Sequence, residues 1–308
     1  MPRKFASVPK KALTFISTIL VTSVLAFAQS GNRYEEAVSL LNQGKAEELK
    51  TYLEKWEEEE PQHSEIFPLW LNYYYYISGE EVVELVKEPP VGGQALVMTD
   101  SLGNPAGYMV TRIVYDAEVL AKGYEKIDQG IALYPDRLDF YFGKTHLLMN
   151  CSNDAAAAVA LLSSVMDRHM SKSSPWTWTL NEPFENEEER LISSVQDYIA
   201  ALFDMGDLDN AAVLIERALK SYPENVMFLS DKAGLAFNKG DMKMALKQYL
   251  KILEIAPEDY LVMTNVAYLS ELTGDVKNAR KYYQMVKDSN DPEFAPIAVS
   301  ALDALNNK

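Results

Sequence analysis

Gly206-Asp207-Leu208-Asp209-Asn210-Ala211 returns as Gly240-Asp241-Met242-Lys243-Met244-Ala245 and again as Gly274-Asp275-Val276-Lys277-Asn278-Ala279, each time 34 residues on. Pro223 and Pro257 keep the same spacing, and Pro292 misses it by one. A period in this range belongs to stacked supersecondary units, none of which can bury its own apolar face alone. Within each unit the glycine ends one helix and the aspartate caps the next. Ala211, Ala245 and Ala279 then fall early in the second helix, where a small side chain lets two helices approach. Apolar residues follow three and four apart: Leu214, Ile215, Ala218 and Leu219; Tyr249, Ile252 and Leu253; Tyr282, Tyr283 and Val286. Proline closes the unit because it cannot continue a helix.

The period, the Gly-Asp turn, the following alanine and the closing proline resemble the tetratricopeptide repeat (TPR) family. The resemblance covers about residues 192–293 as three repeats, with 294–308 as a capping helix. It departs from the family in the first helices, where Val195 and Ile199, Leu229 and Ala233, and Met263 and Ala267 replace the usual large aromatic and glycine. It implies an all-α fold, a TPR-like superhelix of helical hairpins.

Outward from this array, residues 29–191 read as degenerate copies of the same unit. Asn42-Gln43-Gly44-Lys45 and Ile77-Ser78-Gly79-Glu80 look like interhelical turns, and Gly123–Pro135 like a second helix ending at its proline. Residues 137–149 and 154–170 make the next pair, for about fourteen helices in all.

Two segments interrupt the helical pattern. Around 88–112, Pro89-Pro90 and Gly92-Gly93 break the helix, and the β-prone runs 94–99 and 108–115 flank a turn, predicting one inserted β-hairpin. Such a hairpin is marginal by itself and is expected to lie against helices or a partner. Residues 171–185 form a loop holding Trp176, Trp178, Asn181 and Glu182. Either its tryptophans fold back over the helix stack, or they stack on a sugar or anchor a peptide.

At the N-terminus Arg3, Lys4, Lys10 and Lys11 precede an apolar run that ends in Ala26-Phe27-Ala28, the pattern of a cleavable secretory signal. The run is short for a membrane span and interrupted by Thr and Ser. Cleavage after Ala28 and export, to the periplasm or outside, are the expectation. The 308 residues carry 29 Lys+Arg against 45 Asp+Glu, a net charge of -16 that becomes -20 without the leader. Such a balance argues against nucleic-acid binding. One cysteine, Cys151, excludes an internal disulfide. His63, His146 and His169 have no second ligand at metal spacing, and no catalytic or nucleotide-binding motif occurs. No cofactor, metal or enzymatic activity is expected.

In the TPR family the first helix of each unit lines a concave face that commonly binds a peptide. By that resemblance the candidate groove comprises Gln196 and Phe203, Met227, Ser230 and Phe237, then Leu261, Thr264 and Tyr268, joined by Ala200, Gly234 and Glu271. The set is nearly free of Lys and Arg, so it suits an apolar or basic segment of another protein. The alternative is a ligand-binding module in which the Trp176/Trp178 loop and the hairpin hold a glycan or small molecule.

Overall fold

In a computed structural model, residues 31–89 and 95–307 are described. The leader with its cleavage site, and Pro90, Gly92 and Gly93, lie outside the described residues. Among the described residues there are thirteen α-helices and one three-stranded sheet: α1 Gly31–Asn42, α2 Ala46–Glu59, α3 Ile66–Ser78, β1 Gly79–Val86, β2 Leu96–Thr99, β3 Pro105–Tyr115, α4 Ala117–Leu133, α5 Leu138–Asn150 and α6 Ala155–Ser171. A short 3-10 turn, Thr179–Asn181, precedes α7 Glu187–Met205, α8 Leu208–Ser221, α9 Val226–Asn238, α10 Met242–Ile255, α11 Tyr260–Leu272, α12 Val276–Asp288 and α13 Ala295–Asn306. The described residues divide into two compact units, one of 31–161 and 173–185, the other of 162–172 and 186–307.

In the second unit the repeated Gly-Asp is the structural hinge of each hairpin. Gly206, Gly240 and Gly274 sit at φ 75, 84 and 84, the left-handed region that lets a helix end without a Cβ clash. The next residue turns back each time: the Asp207, Asp241 and Asp275 N–H groups donate to the carbonyls of Leu202, Ala236 and Ser270. The same aspartates then accept from the N–H groups of Asn210, Met244 and Asn278, capping α8, α10 and α12. Ala211, Ala245 and Ala279 are fully buried at the helix crossings. Tyr249, Ile252, Val262, Val266 and Leu269 make one apolar layer with Ala233 and Ala245; Met263, Tyr283, Val286 and Leu305 belong to the next. Replacing Gly240 by alanine is expected to cost about 1 kcal/mol through backbone strain alone, since nothing lies within 4 Å of the added Cβ. A lowered urea midpoint at unchanged slope would measure it.

The first unit is organised by α3, whose sequence is apolar nearly all round and which is buried accordingly. One side joins α1 and α2 through Ala37, Leu49, Leu53, Trp56 and Trp70; the other joins α4 and α5 through Phe67, Leu71, Ile127, Phe140 and Leu147. The four consecutive tyrosines radiate from it as helical geometry requires. Tyr73 is buried, Tyr74 stacks on Trp70, Tyr75 stacks on Tyr115, and the exposed Tyr76 reaches the Gly44 carbonyl.

The inserted hairpin is larger than expected, and Ile77–Glu80 is not an interhelical turn. The chain leaves α3 at Gly79 with extended φ/ψ and runs straight into β1, which pairs antiparallel with β3 from Gly79↔Tyr115 to Val86↔Tyr108. The sheet order is β1-β3-β2. Gly79 marks a close approach, because a Cβ there would lie 3.1 Å from Ile113 Cγ2 and 3.4 Å from the Tyr115 ring. At the root of the sheet the Asp116 N–H donates to the Ser78 carbonyl, and the Tyr75 and Tyr115 hydroxyls lie 3.3 Å apart. The run Glu57–Glu60 is tied in as well. Glu57 accepts from Trp70 Nε1 and pairs with Lys126, and Arg33 pairs with Glu59 and Glu60.

Candidate functional site

The tryptophan loop belongs to the first unit and is docked there by backbone bonds. The Thr177 N–H donates to the Asp136 carbonyl at 2.8 Å, and the Leu138 N–H donates to the Thr177 carbonyl at 3.0 Å. The loop closes on itself through Trp178 N–H to the Glu182 carbonyl and Phe184 N–H to the Trp176 carbonyl. Both indoles turn toward α5. Trp176 is 0% exposed and meets Tyr141 edge-on; Trp178 lies between Phe142 and Phe184, stacked on the latter at 4.8 Å. Glu182 is exposed. Trp176 therefore presents no face to a sugar or peptide: its apolar area is already spent on the helix it covers.

Beneath the loop lies a cluster that the sequence did not disclose. Arg137 is 1% exposed and Glu65 0%. The guanidinium donates from Nη1 and Nη2 to the two Glu65 oxygens at 2.6 and 3.2 Å, and from Nε and Nη2 to Asp139 at 2.9 and 2.8 Å. Asn181 accepts from Arg137 and donates to Ser64, and the Leu180 N–H donates to Glu65. Burial by itself would lower the Arg137 pKa, but the bonds and charges of Asp139 and Glu65 outweigh it and raise it. The cluster is satisfied throughout and serves as the anchor of the loop.

In the second unit the expected groove residues fall into two groups. Met227 and Ala200 are exposed; Gln196, Phe203, Ser230, Leu261, Tyr268, Gly234 and Glu271 are half-buried. Phe237 packs on the Ala233–Tyr249 layer, and Thr264 is buried with its hydroxyl donating to the Tyr260 carbonyl. These two are occupied within the fold: Phe237 on α9 by that apolar layer, and Thr264 because α11 is enclosed on nearly every side.

Beside the expected positions runs a polar ladder, Asp197 on α7, Asp231 on α9 and Asn265 on α11, at the 34-residue repeat. Gln196 donates to the Asp231 carboxylate, whose second oxygen is buried with no hydrogen-bond partner among the described residues. Burial raises the Asp231 pKa to about 7 against the smaller opposing effect of Gln196. Asp197 is raised by burial as well. Tyr249 is hydrogen-bonded to Asn265, and its hydroxyl lies 3.8 Å from where a Cβ on Gly234 would sit. The recurrence of Asp, Asp and Asn was present in the sequence, although the capping aspartates mask it.

Among the described residues no group of His, Cys, Asp and Glu is placed to hold a metal ion. Burial pushes the Cys151 thiol up, away from nucleophilic character, despite a hydrogen bond with Tyr115. No described helix is long and apolar enough to cross a membrane.

Residues 200–260 match a family model described as a tetratricopeptide repeat. No curated protein matches the chain by sequence. Among solved structures it is similar to PilW, a widely conserved type IV pilus biogenesis factor, at 12% identity and TM-score 0.40 over 89% of this chain and 100% of that one. The Pseudomonas aeruginosa protein pilF aligns at 11% identity and TM-score 0.37, over 89% and 96% of the two chains. The TPR domain of P58(IPK) aligns at 12% identity and TM-score 0.32, over 90% and 65%.

Proposed function

We propose that this chain, a tetratricopeptide-repeat protein, is an exported, non-catalytic scaffold that binds a segment of another protein along the first helices of its C-terminal array. The domain plan is a leader of residues 1–28, a degenerate helical region of 29–191, three repeats over 192–293 and a cap of 294–308. The observation that carries the reading is the ladder Asp197–Asp231–Asn265 alongside the half-buried apolar side chains Phe203, Leu261 and Tyr268. A buried carboxylate oxygen without a donor favours a ligand that brings one, so a segment combining apolar side chains with Lys, Arg or free amide N–H groups suits this face. The field of the net negative chain favours the same partner. The signal-like N-terminus supports export, and with the leader removed no membrane anchor is proposed.

A photocrosslinking amino acid placed at Ala200 or Met227, both exposed on first helices, tests this in cells of the source organism. The same group at Val213, 55% exposed on second helix α8, is the control. A defined protein adduct from the first-helix positions and none from Val213 is expected. No adduct, or the same adducts from all three, would sink the reading. Asp231→Asn is expected to weaken that adduct severalfold while leaving the fold intact.

A further inference from the structure

We propose that the open edge of β1 is a second docking site, which takes an extended segment of a protein partner as a fourth strand. That strand carries Lys or Arg on one face and Val, Ile, Leu or Met on the other.

The sheet holds an unusual surface for a helical protein. On one face Val83 is 64% exposed, Leu85 65% and Leu96 72%, with Met98 and Ile113 exposed on the same face. Contiguous apolar exposure of this kind marks an interaction surface or an aggregation hazard. The two outer strands differ in how they meet that hazard. β2 is four residues long with a register shift between Met98 and Thr99, a blunted edge. β1 is eight residues long, in unbroken register with β3, and has no proline and no lysine within it. Its backbone pairs only with β3 among the described residues, so its outer N–H and C=O groups face solvent. Such an edge is a template for an added strand.

The side chains select the occupant. Pairing places Glu81, Val83 and Leu85 on one face with Ile113, Met109, Leu96 and Met98, and Glu80, Val82 and Glu84 on the other with Arg112. Arg112 pairs with Glu84 at 2.9 Å, and neither Glu80 nor Glu81 has a cationic partner among the described residues. Joining β1 antiparallel to β1 of a second copy, centred on Val82, would set Glu80 of each against Glu84 of the other on one face, where like charges repel. An incoming strand that sets basic residues beside Glu80 and Glu84, and apolar ones beside Val83 and Leu85, complements both faces. This site is separate from the first-helix face proposed above and stands without it.

The probe is an eight-residue peptide of alternating Val and Lys, titrated by fluorescence anisotropy against the chain from Gln29 onward. Saturable binding is expected, weakened at least tenfold for the fully N-methylated peptide, which keeps the side chains and loses the backbone donors. The variant Glu80→Lys/Glu84→Lys is expected to reverse the preference toward a Val/Glu peptide. Hydrogen exchange on the unmodified chain gives an independent reading: bound peptide should slow the β1 amides. Equal affinity for the N-methylated peptide, an unchanged preference in the variant, protection confined to regions outside the sheet, or no binding would each overturn the proposal.

Discussion

Arg137→Met is expected to destabilise the first unit by about 3–5 kcal/mol, the range for removing one partner of a buried ion pair. The cost comes from what stays behind. Glu65 is fully buried, and without the guanidinium its carboxylate keeps only the Leu180 N–H and the Ser64 hydroxyl as donors. Asp139 loses both of its bonds from Arg137. The Asn181 contact goes as well, so the loop from Trp176 to Phe184 loses its anchor while keeping its backbone bonds to residues 136–138. Two measurements check this. Urea unfolding reads the loss of stability, and tryptophan emission should shift to the red in native buffer as Trp176 and Trp178 gain water. The pair Arg137→Met/Glu65→Gln should recover part of the loss, since the orphaned charge is then gone. Wild-type stability and emission in the single variant would show that the cluster is not the anchor.

Asp231→Asn is expected to stabilise the protein at pH 8, by about 1–3 kcal/mol, and to leave it unchanged near pH 4. The sign follows from burial. Burial raises the folded pKa to about 7 from the ordinary carboxylate value of 3.8, so between these values the folded chain holds a proton that the unfolded chain has released. Stability from this group is complete below the unfolded value and falls as pH rises toward the folded one, by at most roughly 1.4 kcal/mol per unit. Asparagine is close in shape, can retain a bond with Gln196, and never carries the charge. Urea midpoints of both proteins at pH 4, 6 and 8 should coincide at the first and diverge steadily after it. Curves that remain parallel across that range would mean Asp231 is solvated and ordinary.

The repeat was legible from sequence because its determinants are local and recur. Gly240, Asp241 and Ala245 act within one turn, through a left-handed φ, a cap and a small side chain, and three copies at one period leave little else to read. The same reasoning fails at Gly79, which it places in a turn between two helices, whereas a strand follows. There the residue serves the close passage of Ile113 and Tyr115 from a strand more than thirty residues further on. Glu80–Val86 also lacks the alternation that marks a strand, because both of its faces mix glutamate with apolar residues. Periodicity placed the candidate groove positions, and two of them, on α9 and α11, show its limit. Thr264 and Phe237 occupy groove positions in the repeat and are nonetheless taken up by packing.

What the sequence determined by itself is the helical hairpin, its turn and its cap, since these depend on contacts within a few residues and on spacings that repeat. The tertiary structure decided which polar groups are buried together. Arg137 meets Glu65 across 72 residues, and Leu180 meets Glu65 across 115. It also decided that the tryptophans cover α5 and that β1 lies at an open edge. Such pairings rest on desolvation and on partners supplied by distant segments, and no local pattern of residue types records them.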